Sequence, residues 1–309
     1  MGYVLNHNET IESGVKRVLR EELAAAVAEL NRPEADRIEA VHECRKHLKK
    51  ARSLTRMVMR DAEDNDAARG VEALRDAARL LAPFREQDAH IECLERLAAN
   101  EDQDRMCRGT LADLSAYFAA RLTASQSAIK PVSDVFLEGQ QVIAGASVAL
   151  HEEWGTDCTI SELLDGVKRS YVRGRRTLRR AARDASPETL HLLRKRAKDL
   201  RYQTTLLMNA WPAVLGAFEA ELHVFTDHLG AAHDLALLEA ALREDRKLPV
   251  DAARYARVSA LIQQHYNTSA QYALNLGRRL YAEKPAAFMR RVSAYCRAWT
   301  RERSAPPEA

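Results

Sequence analysis

Val41-His42-Glu43-Cys44-Arg45-Lys46-His47-Leu48-Lys49-Lys50-Ala51-Arg52 returns, 149 residues further on, as Leu190-His191-Leu192-Leu193-Arg194-Lys195-Arg196-Ala197-Lys198-Asp199-Leu200-Arg201. His, Arg, Lys, Lys and Arg recur in register, and five matched polar positions in so short a window mark an internal repeat. At helical spacing, His42, Arg45, Lys46, Lys49, Arg52, Arg56 and Arg60 fall within an arc of roughly 120° and form one basic stripe. The other side of the same helix carries Cys44, Leu48, Ala51, Thr55 and Val58, a face that packs. With a rise of ~1.5 Å per residue, the stripe from His42 to Arg60 runs on the order of 27 Å, a length suited to a linear polyanion. His191, Arg194, Lys195, Lys198 and Arg201 repeat the geometry.

The echo extends beyond these segments. Leu81-Ala82-Pro83-Phe84-Arg85-Glu86 and Leu229-Gly230-Ala231-Ala232-His233-Asp234 follow them at a slightly different offset, which implies a small insertion or deletion between two related halves. Few Gly and Pro (12 and 9), abundant Ala, Leu, Arg and Glu, and almost no strand pattern make the fold class all-α. The 3.6-residue period predicts helices near 10–30, 34–60, 66–82, 84–100, 103–125 and 134–149. In the second half it predicts 160–183, 187–210, 212–230, 233–245, 250–282 and 285–301, with some neighbours joining into one helix. Pro33, Pro187, Pro212 and Pro285 each stand where a helix could begin. One domain is expected over 3–303, with repeats at 3–150 and 158–303, a boundary near Gly155-Thr156-Asp157 and a disordered tail at 304–309.

Charge is concentrated where the repeat lies. Residues 42–60 carry seven Lys or Arg against one acid and residues 168–201 thirteen against three, so a chain of net charge +3 holds +16 there and −13 elsewhere. That distribution is the footprint of a polyanion site. Over 160–183, Arg169, Arg173, Arg176, Arg180 and Arg183 share one side, opposite Val167, Tyr171, Leu178 and Ala182; Arg17 and Arg20 are a thinner version on the first helix. With acids absent from the repeated face, such a stripe repels itself unless an anion neutralises it. Arg offers a planar fork to phosphate, Lys a mobile charge and His a hydrogen bond or further charge near its pKa.

Other chemistries find little support. Cys44, Cys93, Cys107, Cys158 and Cys296 are odd in number and include no C-x-x-C, which suits a reducing cytosol. His223, His228 and His233, five apart, diverge around a helix, and no metal site or cofactor is expected. His90, His151, His223 and His265 read as packing or surface residues; Glu86, Asp88, Asp227 and Asp234 either orient basic side chains or serve as caps and ion pairs. No apolar run approaches a membrane span and the first residues lack a signal-peptide pattern, so a soluble cytoplasmic protein is expected.

These motifs resemble the CHAD family, the conserved histidine α-helical domain, over about Tyr3 to Trp299. The resemblance rests on the two H-x-x-[RK]-K-x-x-K-x-x-R segments, on Arg85-Glu86 and His233-Asp234, and on Arg201-Tyr202. It implies two antiparallel four-helix bundles related by a pseudo-twofold axis, forming one compact domain with a central basic groove or pore. It also implies binding of inorganic polyphosphate, with localisation at polyphosphate granules. The implied ligand-facing residues are His42, Arg45, Lys46, Lys49, Arg52, His191, Arg194, Lys195, Lys198 and Arg201. Two positions depart from the pattern: Glu86 stands where Asp is usual, and Asp199 matches Lys50. The competing readings are an RNA- or DNA-binding protein and a phosphohydrolase. The stripes lack interleaved aromatics for base stacking, Tyr202 apart, and no G-x-x-x-x-G-K-[ST] or spaced carboxylate cluster for hydrolysis is present, so a non-enzymatic binding module is expected.

Overall fold

A computed structural model describes residues 2–33, 36–58, 66–99, 105–126, 131–152 and 158–304. The expected boundary near Gly155, the tail beyond Ser304, Arg60, and the side chains of Arg85, Glu86 and His151 lie outside the described residues. Among those described, all regular structure is helical. The first half contains α1 (Ile11–Glu29), α2 (Arg37–Val58), α3 (Asp66–Leu80), α4 (Ala82–Ala98), α5 (Arg105–Gln126) and α6 (Val132–Glu152). The second contains α7 (Ile160–Ala181), α8 (Pro187–Leu206), a 3-10 turn (Met208–Ala210), α9 (Pro212–Glu244), α10 (Ala252–Leu280) and α11 (Pro285–Ser304).

Local chemistry sets most starts. The Thr10 hydroxyl accepts from Ser13 N at α1, Asp251 accepts from Arg254 N at α10, and Thr159 and Glu162 cap each other's backbone at α7. α8, α9 and α11 begin on Pro187, Pro212 and Pro285, where a missing N–H costs nothing. α2 begins at Arg37, later than Pro33 suggests.

The halves differ at one junction. Pro83 cannot donate to the turn before it, and the chain breaks at Leu81 between α3 and α4. The equivalent Ala231 can donate, so the two helices expected over 212–230 and 233–245 are one helix of 33 residues, α9. In the first half α1, α2, α3 and α6 pack in a circuit; in the second α7, α8, α9 and α10 do. The α4–α5 hairpin instead crosses over and packs on α9 and α10. There Leu94, Leu111 and Leu114 meet Leu238, Leu242 and Val258 in a small core of their own. The main core is continuous across both halves and includes Leu48, Leu54, Met57, Leu163, Leu193 and Phe225.

The seam between halves is where α2 meets α7 and α8. Its buried side matches the expected packing face, with Cys44, Leu48, Ala51 and Thr55 fully enclosed. On α7, Val167, Tyr171 and Leu178 are buried as expected, but Ala181 takes the inward place expected of Ala182. Gly166 lets α7 approach the backbone of Met57, whose carbonyl accepts from Arg169 Nη2 at 2.9 Å. A Cβ at position 166 would overlap that carbonyl, whereas one at Gly109 would meet nothing. Gly166→Ala is therefore expected to lower the unfolding free energy by about 2–3 kcal/mol in urea titration, and Gly109→Ala to leave it unchanged or raise it.

Candidate functional site

α2, α8, α9 and α4 form a closed circuit of neighbours, α2 touching α8 and α4, and α9 touching the same two. The repeated motif supplies two members of this circuit. On α2, the side chains of Arg45, Lys49, Arg52 and Arg56 are half-buried next to the packed face, while His42 and Lys46 are exposed. On α8, His191, Arg194, Lys198 and Arg201 are half-buried and Lys195 is exposed. Periodicity puts each set on one side of its helix; tertiary packing then turns the two sets toward common neighbours.

Their electrostatics show the crowding. Lys198 is pushed down from its usual 10.5 to about 8, first by burial and then by Arg194 and Arg201, with Asp227 and Asp234 only partly offsetting them. Arg52 is pushed down to about 10 by burial, with Arg56 and Arg75 adding to the effect. The buried Nε atoms of Arg52 and Arg194 have no hydrogen-bond partner among the described residues. Gly230 of α9 makes room for Arg194: a Cβ there would stand 3.2 Å from Nη2. His191 stacks on His233 of α9, ring centroids 4.1 Å apart. Burial and the cations Arg194, Lys195 and Lys49 hold His233 down to about 4. Lys49 belongs to the first repeat and the other two to the second, so the two basic segments act on one point.

Not every expected cation is available. Asp199 takes Arg56 in a salt bridge at 2.5 Å, Glu219 takes Arg201 at 2.6 Å, and Glu43 takes Lys46 at 2.8 Å. Acids missing from the stripe in sequence thus reach it from neighbouring positions. Arg45 donates to the carbonyl of Ala78 on α3. Arg17 belongs to a different structure altogether: it binds Glu9 at 2.6 Å, Glu21 at 3.0 Å and the carbonyl of Val4 at 2.8 Å, pinning the N-terminal segment to α1. Arg169 serves the seam, as described above. Arg20 on α1 and Arg173, Arg176 and Arg180 on α7 are exposed on helices outside the circuit. Lys50, matched by Asp199 in the repeat, faces away and pairs with Glu22 at 3.0 Å, beside His47 at 2.6 Å.

The structure also adds residues the stripe does not contain. His233 is one, and its position after the second segment, beside Asp234, was the available signal. Arg75 of α3 approaches Arg52, and Arg96 of α4 lies 3.7 Å from Asp234. Of the remaining histidines, His223 pairs with Asp227 at 3.5 Å and the His228 ring packs at a tilt against Tyr272. No group of three or more His, Cys, Asp or Glu side chains among the described residues could hold a metal ion. No helix among them is long and apolar enough to cross a membrane.

An all-helical protein that carries one basic motif twice and brings cations of both copies to α9 is the class these features define. The family model for the CHAD domain matches residues 17–243, and the chain belongs to that family. Its fold is similar to the crystal structure of the CHAD domain from the plant Ricinus communis, with a TM-score of 0.52 and 17% identity over 91% of this chain and 94% of that one. No curated protein matches the chain.

The depressed Lys198 yields a test of how costly the site is. Below pH 8 the lysine is charged in both folded and unfolded chains, and its burial among cations opposes folding. Between about 8 and 10.5 the folded form sheds the proton while the unfolded form keeps it, so this opposition fades as pH rises. Lys198→Met is expected to raise stability at pH 7 by on the order of 1–2 kcal/mol, with a smaller gain at pH 9.5, measured by thermal and urea unfolding.

Proposed function

We propose that this chain binds inorganic polyphosphate, holding the polymer without cutting it, in the cytoplasm and at polyphosphate granules. The observation that carries this reading is the meeting of cations from both repeats around α2, α8 and α9, with Lys198 and Arg52 held partly out of water and short of counter-charge. A phosphate chain supplies a regular row of negative charge to such a surface, and half-buried guanidinium groups suit its oxygens. The contacts are assigned to Lys49, Arg52, Arg194, Lys195 and Lys198, with His42, Arg45, Lys46, His191 and Arg201 at their margins. Arg56 contributes less, because Asp199 already occupies it.

The lining favours a polymer without bases. Tyr202 is buried against Tyr3 and presents no stacking platform. For hydrolysis, phosphoanhydride chemistry usually needs carboxylates that hold metal ions and a positioned nucleophile. The acids near the cations instead form ion pairs with them.

Lys49→Glu combined with Lys198→Glu is expected to weaken polyphosphate binding by more than a hundredfold in a filter or calorimetric assay at physiological salt. Arg290→Glu, exposed on α11, should change it less than threefold. The logarithm of affinity should fall with that of salt at a slope near −0.7 per phosphate neutralised, by analogy with single-stranded nucleic acids. Equal competition by tRNA or duplex DNA would replace this reading with a nucleic-acid one, and release of phosphate from the polymer in Mg²⁺ or Mn²⁺ would replace it with a hydrolase.

A further inference from the structure

The cationic site has a member that the repeated stripe does not supply. His233 on α9 lies against His191 on α8 with its ring plane inclined by 29°. His191 Nδ1 is buried without a hydrogen-bond partner among the described residues. Arg194 and Lys195 of α8 face both rings, and Lys49 of α2 reaches His233. From α4, Arg96 approaches Asp234, the residue after His233. Beyond the rings, a pocket of about 490 Å³ between α8, α9 and α10 brings Glu188, Glu239, Arg243 and Tyr266 to the same pair. Glu239 is engaged there by Tyr255 and Ser259, at 3.3 and 2.7 Å.

Two stacked imidazoles resist carrying two charges, and nearby cations resist even one. Burial, His233, Lys195 and Arg194 hold His191 down to about 4, and His233 is held there too. The free pair is neutral at pH 7. A phosphate chain lying on Lys49, Arg194 and Lys195 reverses the sign of the field at both rings. We infer, building on the polyphosphate reading, that the stacked His191–His233 pair accepts a proton when the polymer arrives, so that polymer binding and acidification promote each other. His233 is thereby a ligand-responsive residue of the site, and the two effects are equal by linkage.

The sign of the pH effect follows from the two states. Above pH 7 the pair is neutral with or without polymer and affinity does not depend on it. Below the ordinary histidine value of ~6.5 the bound pair carries a proton that the free pair refuses until about 4, so affinity rises as pH falls. One proton corresponds to about a tenfold gain between pH 7.5 and 5.5.

Long-chain polyphosphate, whose internal groups stay ionised over this range, is titrated into the full chain at pH 7.5 and 5.5 and fixed salt. Calorimetry in two buffers of different ionisation enthalpy counts the protons taken up. The wild type is expected to bind about tenfold more tightly at pH 5.5 with uptake near one proton, whatever its absolute affinity. In the double variant His191→Gln, His233→Gln the ratio of the two affinities should drop below about three. His233→Asn alone provides the same reading if circular dichroism shows the double variant unfolded. A wild-type affinity that is flat between the two pH values, or a ratio that survives both substitutions, overturns the inference and leaves polyphosphate binding standing. Absence of binding at both pH values overturns the polyphosphate reading and this inference together.

Discussion

Confining like charges at a protein surface that is only partly wet is the constraint around which this structure is arranged. Lys198, Arg194 and Arg52 each lose hydration without a full complement of acids to replace it. Left alone, their helices would move apart. They are held together by apolar contact immediately behind them, where Leu48, Ala51, Leu54, Leu193, Ala197 and Leu200 are fully buried in the core that both halves share. Burial on one side of α2 and α8 therefore supports repulsion on the other, and two small residues refine the fit. Gly166 brings α7 onto α2, and Gly230 lets the Arg194 guanidinium lie on α9.

The two repeats divide the work unequally. In the first, Glu22 collects Lys50 and His47 on the far side of α2, within its own half. In the second, the position equivalent to Lys50 is Asp199, which reaches across the seam to Arg56 while its carbonyl accepts from Ser53 at 3.4 Å. A basic residue has become an acid that ties the halves together and withdraws one arginine from the site. Pro83 marks a second divergence. It breaks the first repeat's helix and sends α4 and α5 across to the other half, whereas Ala231 leaves α9 whole.

Periodicity made α2 and α8 legible, because their packed and charged positions alternate at helical spacing and both faces are long. Proline located the starts of α8, α9 and α11 for purely local reasons. What sequence spacing could not carry were pairings set by tertiary approach. Arg17 looked like part of a basic stripe, yet a loop returns Glu9 to it. Arg56 and Asp199 stand 143 residues apart and meet only because α2 lies on α8. His233 was visible as a motif residue, but its stacking on His191 depends on how α9 sits beside α8. The same limit explains α9: nothing in Gly230-Ala231 forbids a helix, and burial on both sides of that point keeps it continuous.

The crossing of the α4–α5 hairpin bears on how the chain reaches its native state. Leu94, Leu111 and Leu114 share their core with Leu238, Leu242 and Val258, which leave the ribosome well over a hundred residues later. The strand of chain between Leu5 and Asn209 is closed in the same way, with Leu5 N donating to Leu206 O and Asn209 Nδ2 to Leu5 O. During synthesis the first repeat must wait with apolar surface uncovered. Contacts of such sequence separation slow folding and lengthen exposure to aggregation. Although one basic motif occurs twice in the sequence, the main core runs through both halves of the chain.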